Sequence, residues 1–346
     1  MKRDIKFDWN DISIVPMPIT SVNSRNQVDI YRDGKLPLMV SPMDTVVDKN
    51  NYKTFLELGM EVCMSRGEDI WNNKDINDFF ISVSLQEFEE IVKSTEFPPQ
   101  KILVDVANGH MGKLYELSKE YKNKFPNKEL MIGNIANPES IKYYQEIKVD
   151  YIRIGIGGGS SCTTSANGGV HYPMASLVSE CYDIRERYKE PNGFKSKLVA
   201  DGGFRTYSDI IKGLALGADY IMLGGVLNKS VESCGDKFIK NGSGECIKIS
   251  QEDAVDYLKK DAEVYTKFRG MSTKEVQKKW GRKELKTSEG ISKMNKVEYT
   301  MEGWINNFKD YLKSNMSYTG KENLNDYIGK VDYVFITQNA FNRFNK

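Results

Sequence analysis

Histidine is nearly absent from this sequence of 346 residues, in which only His110 and His171 occur. A histidine-rich metal site is therefore not expected. Cysteine is also scarce, and the five cysteines are odd in number and scattered along the chain. This distribution does not fit a disulfide framework, so we expect reduced thiols and a cytosolic environment.

The sequence has almost no net charge and no long apolar run. Its 49 basic and 48 acidic residues give a formal net charge of +1, which favours neither nucleic acid nor a membrane surface as a partner. The charged N-terminus leads into no apolar signal segment, and no span of membrane length occurs. We therefore expect a cytoplasmic protein in which any anion is bound by a local site.

Short apolar runs recur along the first two thirds of the sequence. Because they are continuous and not alternating, they are typical of strands buried on both faces of a parallel sheet. Eight strands are predicted, at residues 36–40, 60–64, 79–83, 102–106, 130–135, 151–154, 197–200 and 219–223. Segments with helical spacing separate most of them, at residues 48–58, 85–93, 113–124, 138–147, 174–188 and 207–216.

Eight alternating strand and helix units predict an α/β protein with a (β/α)8 TIM barrel. An open, doubly wound sheet is the alternative, since periodicity does not show whether a sheet closes. The dinucleotide fingerprint G-x-G-x-x-G does not follow the first strand, which favours the barrel. We predict one barrel domain over residues 1–346, with an irregular N-terminal arm and a C-terminal extension.

Polar residues and glycines follow most of the predicted strands. In a barrel these strand ends meet on the C-terminal face, where active sites lie. Asp201-Gly202-Gly203 and Gly224-Gly225 follow the seventh and eighth strands, where backbone N–H groups can hold a phosphate. Taken singly, these residues are better explained as turns. Taken together, they predict a site for a phosphorylated ligand.

The loop after the sixth strand places one cysteine among glycines and hydroxyl side chains. It reads Gly155-Ile156-Gly157-Gly158-Gly159-Ser160-Ser161-Cys162-Thr163-Thr164. Glycines allow positive φ and close approach to a ligand, and an exposed cysteine in such a loop can act as a nucleophile. A small buried cysteine in a simple turn is the alternative. The neighbouring phosphate-type loops favour the catalytic interpretation.

The cysteine loop, together with Ser41-Pro42-Met43-Asp44-Thr45-Val46, Asp201-Gly202-Gly203 and residues 217–224, resembles the IMP dehydrogenase and GMP reductase family. The similarity runs in order from about Phe7 to beyond Tyr318. It implies a (β/α)8 barrel that binds a purine nucleoside monophosphate, GMP or IMP, within a homotetramer. It also implies that a cysteine forms a covalent adduct, a thioimidate, at purine C2, and that a nicotinamide cofactor exchanges hydride at this carbon.

The resemblance implies a role for each matching position. Cys162 corresponds to the nucleophile, and Asp201 to the residue that holds the ribose hydroxyls. The substrate-binding positions are Met43, Ser160, Asp201, Gly202, Gly203, Gly224, Gly225, Met271, Ser272 and Gly290. The residues that face the cofactor are Asp105, Asn108 and Gly109. The backbone carbonyls of Gly157, Gly159 and Cys162 correspond to a monovalent cation site for K⁺ or Na⁺.

The C-terminal third resembles the reductase branch of the family, as in Ser288-Glu289-Gly290. The chain has no room for the inserted regulatory repeats, of CBS type, that dehydrogenases usually carry. The segment from Phe268 to Gly290 is too short for their mobile flap and contains no Arg-Tyr pair. In reductases the catalytic set comprises the cysteine, the second loop threonine and this glutamate, here Cys162, Thr164 and Glu289. The implied reaction is NADPH-dependent reductive deamination of GMP to IMP and ammonia.

Two other functions stay open from the sequence. A dehydrogenase without regulatory repeats would oxidise IMP to XMP with NAD, and a non-catalytic member would bind purine nucleotides without turnover. The loop departs from the family pattern at Gly158, Ser161 and Ser165, where proline, an aliphatic residue and often arginine are usual. Ile291 stands where reductases tend to have a basic residue, so NADH or NAD is an alternative to NADPH.

Overall fold

Irregular backbone dominates the N-terminal arm in the computed structural model, which describes residues 4–188, 193–281, 284–285 and 287–344. The arm contains two 3-10 turns, Trp9–Asp11 and Arg25–Gln27, and one short strand, β1 (Ile12–Ile14). Asp8 and Ser24 cap the two turns through their side chains. These local hydrogen bonds order the two turns, and long-range backbone hydrogen bonds, such as Val15 N to the Asp332 carbonyl, attach the arm to the C-terminal segment.

Among the described residues, eight parallel strands form a closed barrel, which confirms the predicted (β/α)8 fold. The ring closes where Leu38 to Val40 pair with Ile221 to Leu223. The barrel strands are β2 (Leu38–Val40), β3 (Glu61–Met64), β4 (Phe80–Val83), β5 (Lys101–Asp105), β6 (Glu129–Ile135), β7 (Tyr151–Ile154), β8 (Lys197–Asp201) and β9 (Tyr220–Leu223). The alternative of an open sheet is therefore wrong.

Helices follow most barrel strands, and the longer ones cover the outside of the barrel. They are α1 (Tyr52–Glu57), α2 (Leu85–Ser94), α3 (Gly112–Lys124), α4 (Ser140–Glu146), α5 (Thr164–Gly168), α6 (Met174–Arg187), α7 (Tyr207–Ala215) and α8 (Gly225–Asn228). Helix α2 illustrates why these segments are helical. Ser84 and Glu87 form a capping box at its start, and Phe88, Ile91 and Val92 bury one face of the helix.

Large side chains fill the inside of the barrel. Alternate residues of its strands point inwards, and Phe80 meets Tyr151 edge to face with ring centroids 5.1 Å apart. Cys63 belongs to this layer and Cys181 to the layer beneath the helices. Burial raises the pKa of both thiols, so neither is a nucleophile near neutral pH. The filled interior leaves the barrel ends as the places for a ligand.

The C-terminal extension adds a second sheet and a helical segment. The antiparallel sheet, in the order β11-β10-β12-β13, is built from β10 (Lys237–Lys240), β11 (Cys246–Ile249), β12 (Val264–Arg269) and β13 (Ser292–Lys296). Helices α9 (Gln251–Lys259), α10 (Lys274–Lys279), α11 (Met301–Tyr318), α12 (Leu324–Tyr327) and α13 (Gln338–Phe344) accompany it, and β14 (Tyr333–Phe335) pairs with β1. None of the helices that the structure describes has the length and apolarity that a bilayer crossing requires.

Gly217, in the turn before β9, is a position where only glycine fits. Its φ is +119°, and a Cβ there would overlap the ring of Tyr182. We expect Gly217→Ala to lower the free energy of unfolding by about 3 kcal/mol, because strain and overpacking add. Urea unfolding of both proteins measures this difference.

Gly112→Ala is the matched control for Gly217→Ala. Gly112 begins α3 without a positive φ, and a Cβ there would meet nothing within 4 Å. Its unfolding free energy should stay within about 0.5 kcal/mol of the wild type. Equal stability of the two variants would contradict the steric argument at Gly217.

Candidate active site

A cavity of about 1730 Å³ opens at the carboxyl ends of the barrel strands. Residues at or just beyond the ends of several strands line it, among them Ser41, Asp105, Gly155, Asp201 and Gly224. Its volume exceeds the roughly 300–1,000 Å³ typical of a small-molecule site. The cavity therefore has room for two ligands side by side.

Most residues that the sequence assigned to the site line this cavity. Gly109 and Gly290 do not. The Gly109 amide donates to the carbonyl of Asn134 at 2.7 Å, and Gly290 forms a backbone bridge with Cys162, so both glycines shape walls behind the surface. The lining residues are Met43, Asp105, Asn108, Gly157, Gly159, Ser160, Cys162, Thr164, Asp201, Gly202, Gly203, Gly224, Gly225, Met271, Ser272 and Glu289.

The cysteine loop leaves β7 in a conformation that needs glycine. Gly155 has φ +121°, and a Cβ there would overlap the carbonyl oxygen of Asp201. Gly157 has φ +80°, and its Cβ would lie 2.9 Å from the Cβ of Ser165. The Ser165 hydroxyl donates to the Gly157 carbonyl at 3.0 Å. The serine that replaces the usual arginine thus closes the loop on itself.

A chain of hydrogen bonds joins Cys162 to Glu289. The Cys162 thiol donates to Thr164 Oγ1 at 3.2 Å, and the Thr164 hydroxyl donates to Glu289 Oε2 at 2.7 Å. The backbone fixes this geometry, because Thr163 N donates to the Glu289 carbonyl at 2.8 Å and Ile291 N to the Ser161 carbonyl at 3.0 Å. A proton can therefore move between the sulfur and the carboxylate through one hydroxyl group.

Close glycine contacts form a cradle beside the cysteine loop. Gly202 has φ +94°, and a Cβ there would lie 3.0 Å from the amide nitrogen of Gly159. In the loop after β9, a Cβ on Gly225 would lie 3.2 Å from Ser160 Oγ. Because side chains are absent here, a ligand can reach the backbone N–H groups of both glycine loops and the Ser160 hydroxyl. Such a set of donors suits a phosphate.

A buried arginine that the sequence analysis missed ties two strand ends together. Arg153 of β7 pairs with Asp105 Oδ1 at 2.6 Å and with Asp201 Oδ2 at 2.9 Å. Asn134 also donates to Asp201 Oδ2, at 2.8 Å. Burial alone would lower the pKa of Arg153, but the charges of Asp201 and Asp105 outweigh it and raise the pKa. A charged residue inside an apolar strand was the sequence signal for this network.

A stacked pair, also missed, lines the side of the cavity near Asp105 and Asn108. The Arg66 guanidinium lies 3.9 Å from the centroid of the Trp280 ring, and its Nε is 3.6 Å from Asp105 Oδ2. Cation–π attraction holds the guanidinium group over the face of the ring. They form a planar wall next to the residues that the resemblance assigns to the cofactor.

An ion pair holds the segment of Met271 and Ser272 over the cavity. Arg269, the last residue of β12, bonds Asp44 through Nε at 3.2 Å and through Nη2 at 2.6 Å. The Asp44 side chain is 2% exposed, so this two-point contact is shielded from water. These two predicted substrate-binding residues therefore follow a fixed strand end.

The carbonyls assigned to a monovalent cation lie within one short turn of the loop. The Gly159 carbonyl accepts a hydrogen bond from Cys162 N at 2.9 Å, and the Gly157 carbonyl accepts one from Ser165. A carbonyl oxygen has two lone pairs, so each can also coordinate a cation. The oxygen donor set fits K⁺ or Na⁺.

Residues 81–344 match the family model described as the IMP dehydrogenase / GMP reductase domain. The chain is 28% identical to GMP reductase 2 of Homo sapiens, with 97% of this chain and 96% of that protein covered. It is 28% identical to GMP reductase 1 of Homo sapiens over the same shares of both chains. It is 25% identical to GMP reductase of Vibrio atlanticus, with 100% of this chain and 99% of that protein covered.

Proposed function

This chain belongs to the IMP dehydrogenase / GMP reductase family, and we propose that it is a GMP reductase that converts GMP to IMP and ammonia with NADPH as reductant. The observation that carries the proposal is the hydrogen-bonded chain from Cys162 through Thr164 to Glu289 at the wall of a barrel-end cavity. Relatives named GMP reductase that align over nearly the full chain support the same choice.

In the proposed mechanism Cys162 Sγ attacks C2 of the guanine ring. Glu289 takes the thiol proton through the Thr164 hydroxyl as the C–S bond forms. The same path returns the proton to the amine at C2, because an amide ion is a very poor leaving group, and ammonia departs. NADPH, when held at the wall lined by Asp105 and Asn108, would supply a hydride to C2. Cleavage of the C–S bond releases IMP and restores Cys162, so the sum is GMP, NADPH and a proton giving IMP, NADP⁺ and ammonia.

We assign the substrate to the glycine cradle and the base to the neighbouring cavity wall. The phosphate lies against Ser160 and the loops Gly202-Gly203 and Gly224-Gly225, and Asp201 binds the ribose hydroxyls. Arg153 and Asn134 fix the direction of the Asp201 carboxylate. The base lies against Met43, Met271 and Ser272, with Gly290 shaping the wall behind them.

We assign the cofactor to the side of the cavity lined by Asp105 and Asn108, with Gly109 shaping the wall behind them. The stacked Arg66 and Trp280 side chains extend this wall. K⁺ or Na⁺ held by the carbonyls of Gly157, Gly159 and Cys162 would steady the cysteine loop. The active form in this proposal is a homotetramer of one-domain barrels without regulatory repeats.

A paired assay of both directions tests the proposal. With GMP and NADPH we expect loss of NADPH absorbance and release of an equimolar amount of ammonia. Replacing NADPH by NADH in the same assay reports the cofactor preference. With IMP and NAD we expect no NADH.

Two outcomes of this assay would contradict the proposal. Formation of NADH from IMP without turnover of GMP would identify a dehydrogenase. Binding of both nucleotides in calorimetry without turnover in either direction would identify a non-catalytic member of the family. Mass detection of IMP and XMP distinguishes the products directly.

A further inference from the structure

A cluster of basic side chains lies beside the glycine cradle. Arg205, Lys229 and Lys293, which we call the basic cluster, line the cavity from three different elements. Arg205 closely follows the glycine loop after β8, Lys229 follows α8, and Lys293 lies in β13. The chain therefore brings its positive charges together by folding and not by sequence proximity.

Lys293 stands directly against the cradle. Its Nζ donates to the Ser160 carbonyl at 3.3 Å and lies 5.6 Å from the centroid of the Phe268 ring. Gly225 touches the same two residues, since a Cβ there would lie 3.2 Å from Ser160 Oγ and 3.7 Å from the Phe268 ring. An anion that extends beyond the cradle at this point meets the Lys293 ammonium group.

The basic cluster carries more positive charge than its surroundings balance. Lys229 pairs with Glu298 at 2.8 Å, whereas no acidic side chain pairs with Arg205 or Lys293 among the described residues. Burial lowers the pKa of Lys293, and the nearby charges of Lys229 and Arg205 lower it further. Like charges held this close repel one another in the free protein, and a bound anion relieves the repulsion.

We propose that the basic cluster is a subsite for a second phosphoryl group, so that the pocket binds a purine nucleoside 5′-diphosphate in competition with the monophosphate. This inference rests on the proposed function, because it takes the glycine cradle as the site of the first phosphate. A monophosphate brings about two negative charges, which the cradle with its backbone N–H groups can hold. The unpaired charges of Arg205 and Lys293 match a further phosphoryl group, and the cavity of about 1730 Å³ has space for it.

Calorimetric titration with GMP and with GDP tests the subsite on the full chain. In the wild type we expect GDP to bind at least as tightly as GMP. In the triple variant Arg205→Gln, Lys229→Gln, Lys293→Gln, the Kd for GDP should rise by about 100-fold and that for GMP by less than about tenfold, because three charge-assisted contacts are lost. Added salt should weaken GDP binding more steeply than GMP binding in the wild type.

The matched control removes three lysines elsewhere. Lys119, Lys148 and Lys260 are exposed and do not line the cavity, so the triple glutamine variant of these residues should bind both nucleotides like the wild type. If the cluster triple variant does not fold, Arg205→Gln alone carries the test, because Arg205 is exposed. The single variant should weaken GDP at least about threefold more than GMP.

Three results would overturn the inference. GDP could bind much more weakly than GMP to the wild type, the cluster variant could weaken both nucleotides equally, or it could leave GDP binding unchanged. Binding of GMP with any of these results leaves the proposed function standing. If neither nucleotide binds, both the inference and the proposed function are wrong, so the two failures are distinguishable.

Discussion

Cys162→Ala is expected to lower kcat for GMP by about 10⁴-fold or more, because the reaction loses its nucleophile and no covalent bond to C2 can form. The thiol lies at the cavity wall within 3.2 Å of the Thr164 hydroxyl, and the glycine cradle does not depend on it. The Kd for GMP should therefore change by less than about threefold. Steady-state kinetics, calorimetry and intact-protein mass after incubation with GMP measure these effects.

Cys246→Ala is the matched control for Cys162→Ala. Cys246 is the first residue of β11 and is exposed, far along the chain from the cysteine loop. Its kcat should stay within about twofold of the wild type. Alkylation gives a second reading, because GMP should protect Cys162 and leave Cys246 reactive. Undiminished turnover by Cys162→Ala would refute the covalent mechanism.

The barrel could be predicted from the sequence because its strands are short and buried on both faces. Such strands form continuous apolar runs, and the predicted runs agree with the observed strands to within two residues at each end, as at β8 (Lys197–Asp201). Closure of the barrel was harder to predict, since the pairing of β2 with β9 joins the first and the last barrel strand in the sequence. The spacing of eight units, not any single strand, indicated it.

The second sheet could not be predicted, for the opposite reason. Strands β10 and β13 contain two lysines each, and β13 is exposed at every second residue, so their apolar pattern is weak. The charged segment of residues 235–259, in which the sequence analysis placed no strand, contains the hairpin of β10 and β11 followed by α9. Packing of one strand face against a partner sets such a sheet, and this information is absent from local pattern.

The candidate site likewise contains residues that the sequence indicates and residues that it does not. Cys162 lies among glycines and hydroxyl side chains in one loop, so the residues alone indicated it. The role of Thr164, two residues further on, came from the family resemblance. Glu289 lies 125 residues from Thr164, and only the family resemblance pointed to it. Arg153 escaped notice because its side chain acts inside the barrel mouth, between Asp105 and Asp201. A residue that positions other side chains is harder to recognise in a sequence than a residue that belongs to a motif.

The departures of the cysteine loop from the family pattern have different structural consequences. Ser165, in place of the usual arginine, donates to the Gly157 carbonyl and so closes the loop locally. Gly158 stands in place of proline. A Cβ at Gly158 would lie 3.4 Å from the Gly202 carbonyl carbon, which is an ordinary van der Waals contact, so the surrounding space does not require glycine there. The loop is therefore held by backbone pairing with the Glu289 segment, which makes that segment both a support and a chemical partner.

Glu289→Gln separates these two roles, and we expect it to lower kcat for GMP by about 10²- to 10³-fold. Glutamine keeps an oxygen that can accept the Thr164 hydrogen bond, but it cannot take up the thiol proton. Thr163 N donates a hydrogen bond to the Glu289 carbonyl, and Gly290 forms a backbone bridge with Cys162. Neither contact involves the Glu289 side chain. Affinity for GMP should therefore persist, while adduct formation and ammonia release become slow.

Rescue by a conservative variant distinguishes proton transfer from structural support. Turnover should be restored in part by Glu289→Asp, whose carboxylate can still exchange a proton. Glu116→Gln, on the exposed face of α3, is the matched control and should retain wild-type kinetics. A Glu289→Gln enzyme with near-normal kcat would remove Glu289 from the mechanism. The Thr164 hydroxyl, with Sγ at 3.2 Å, would then be the remaining candidate for the proton path.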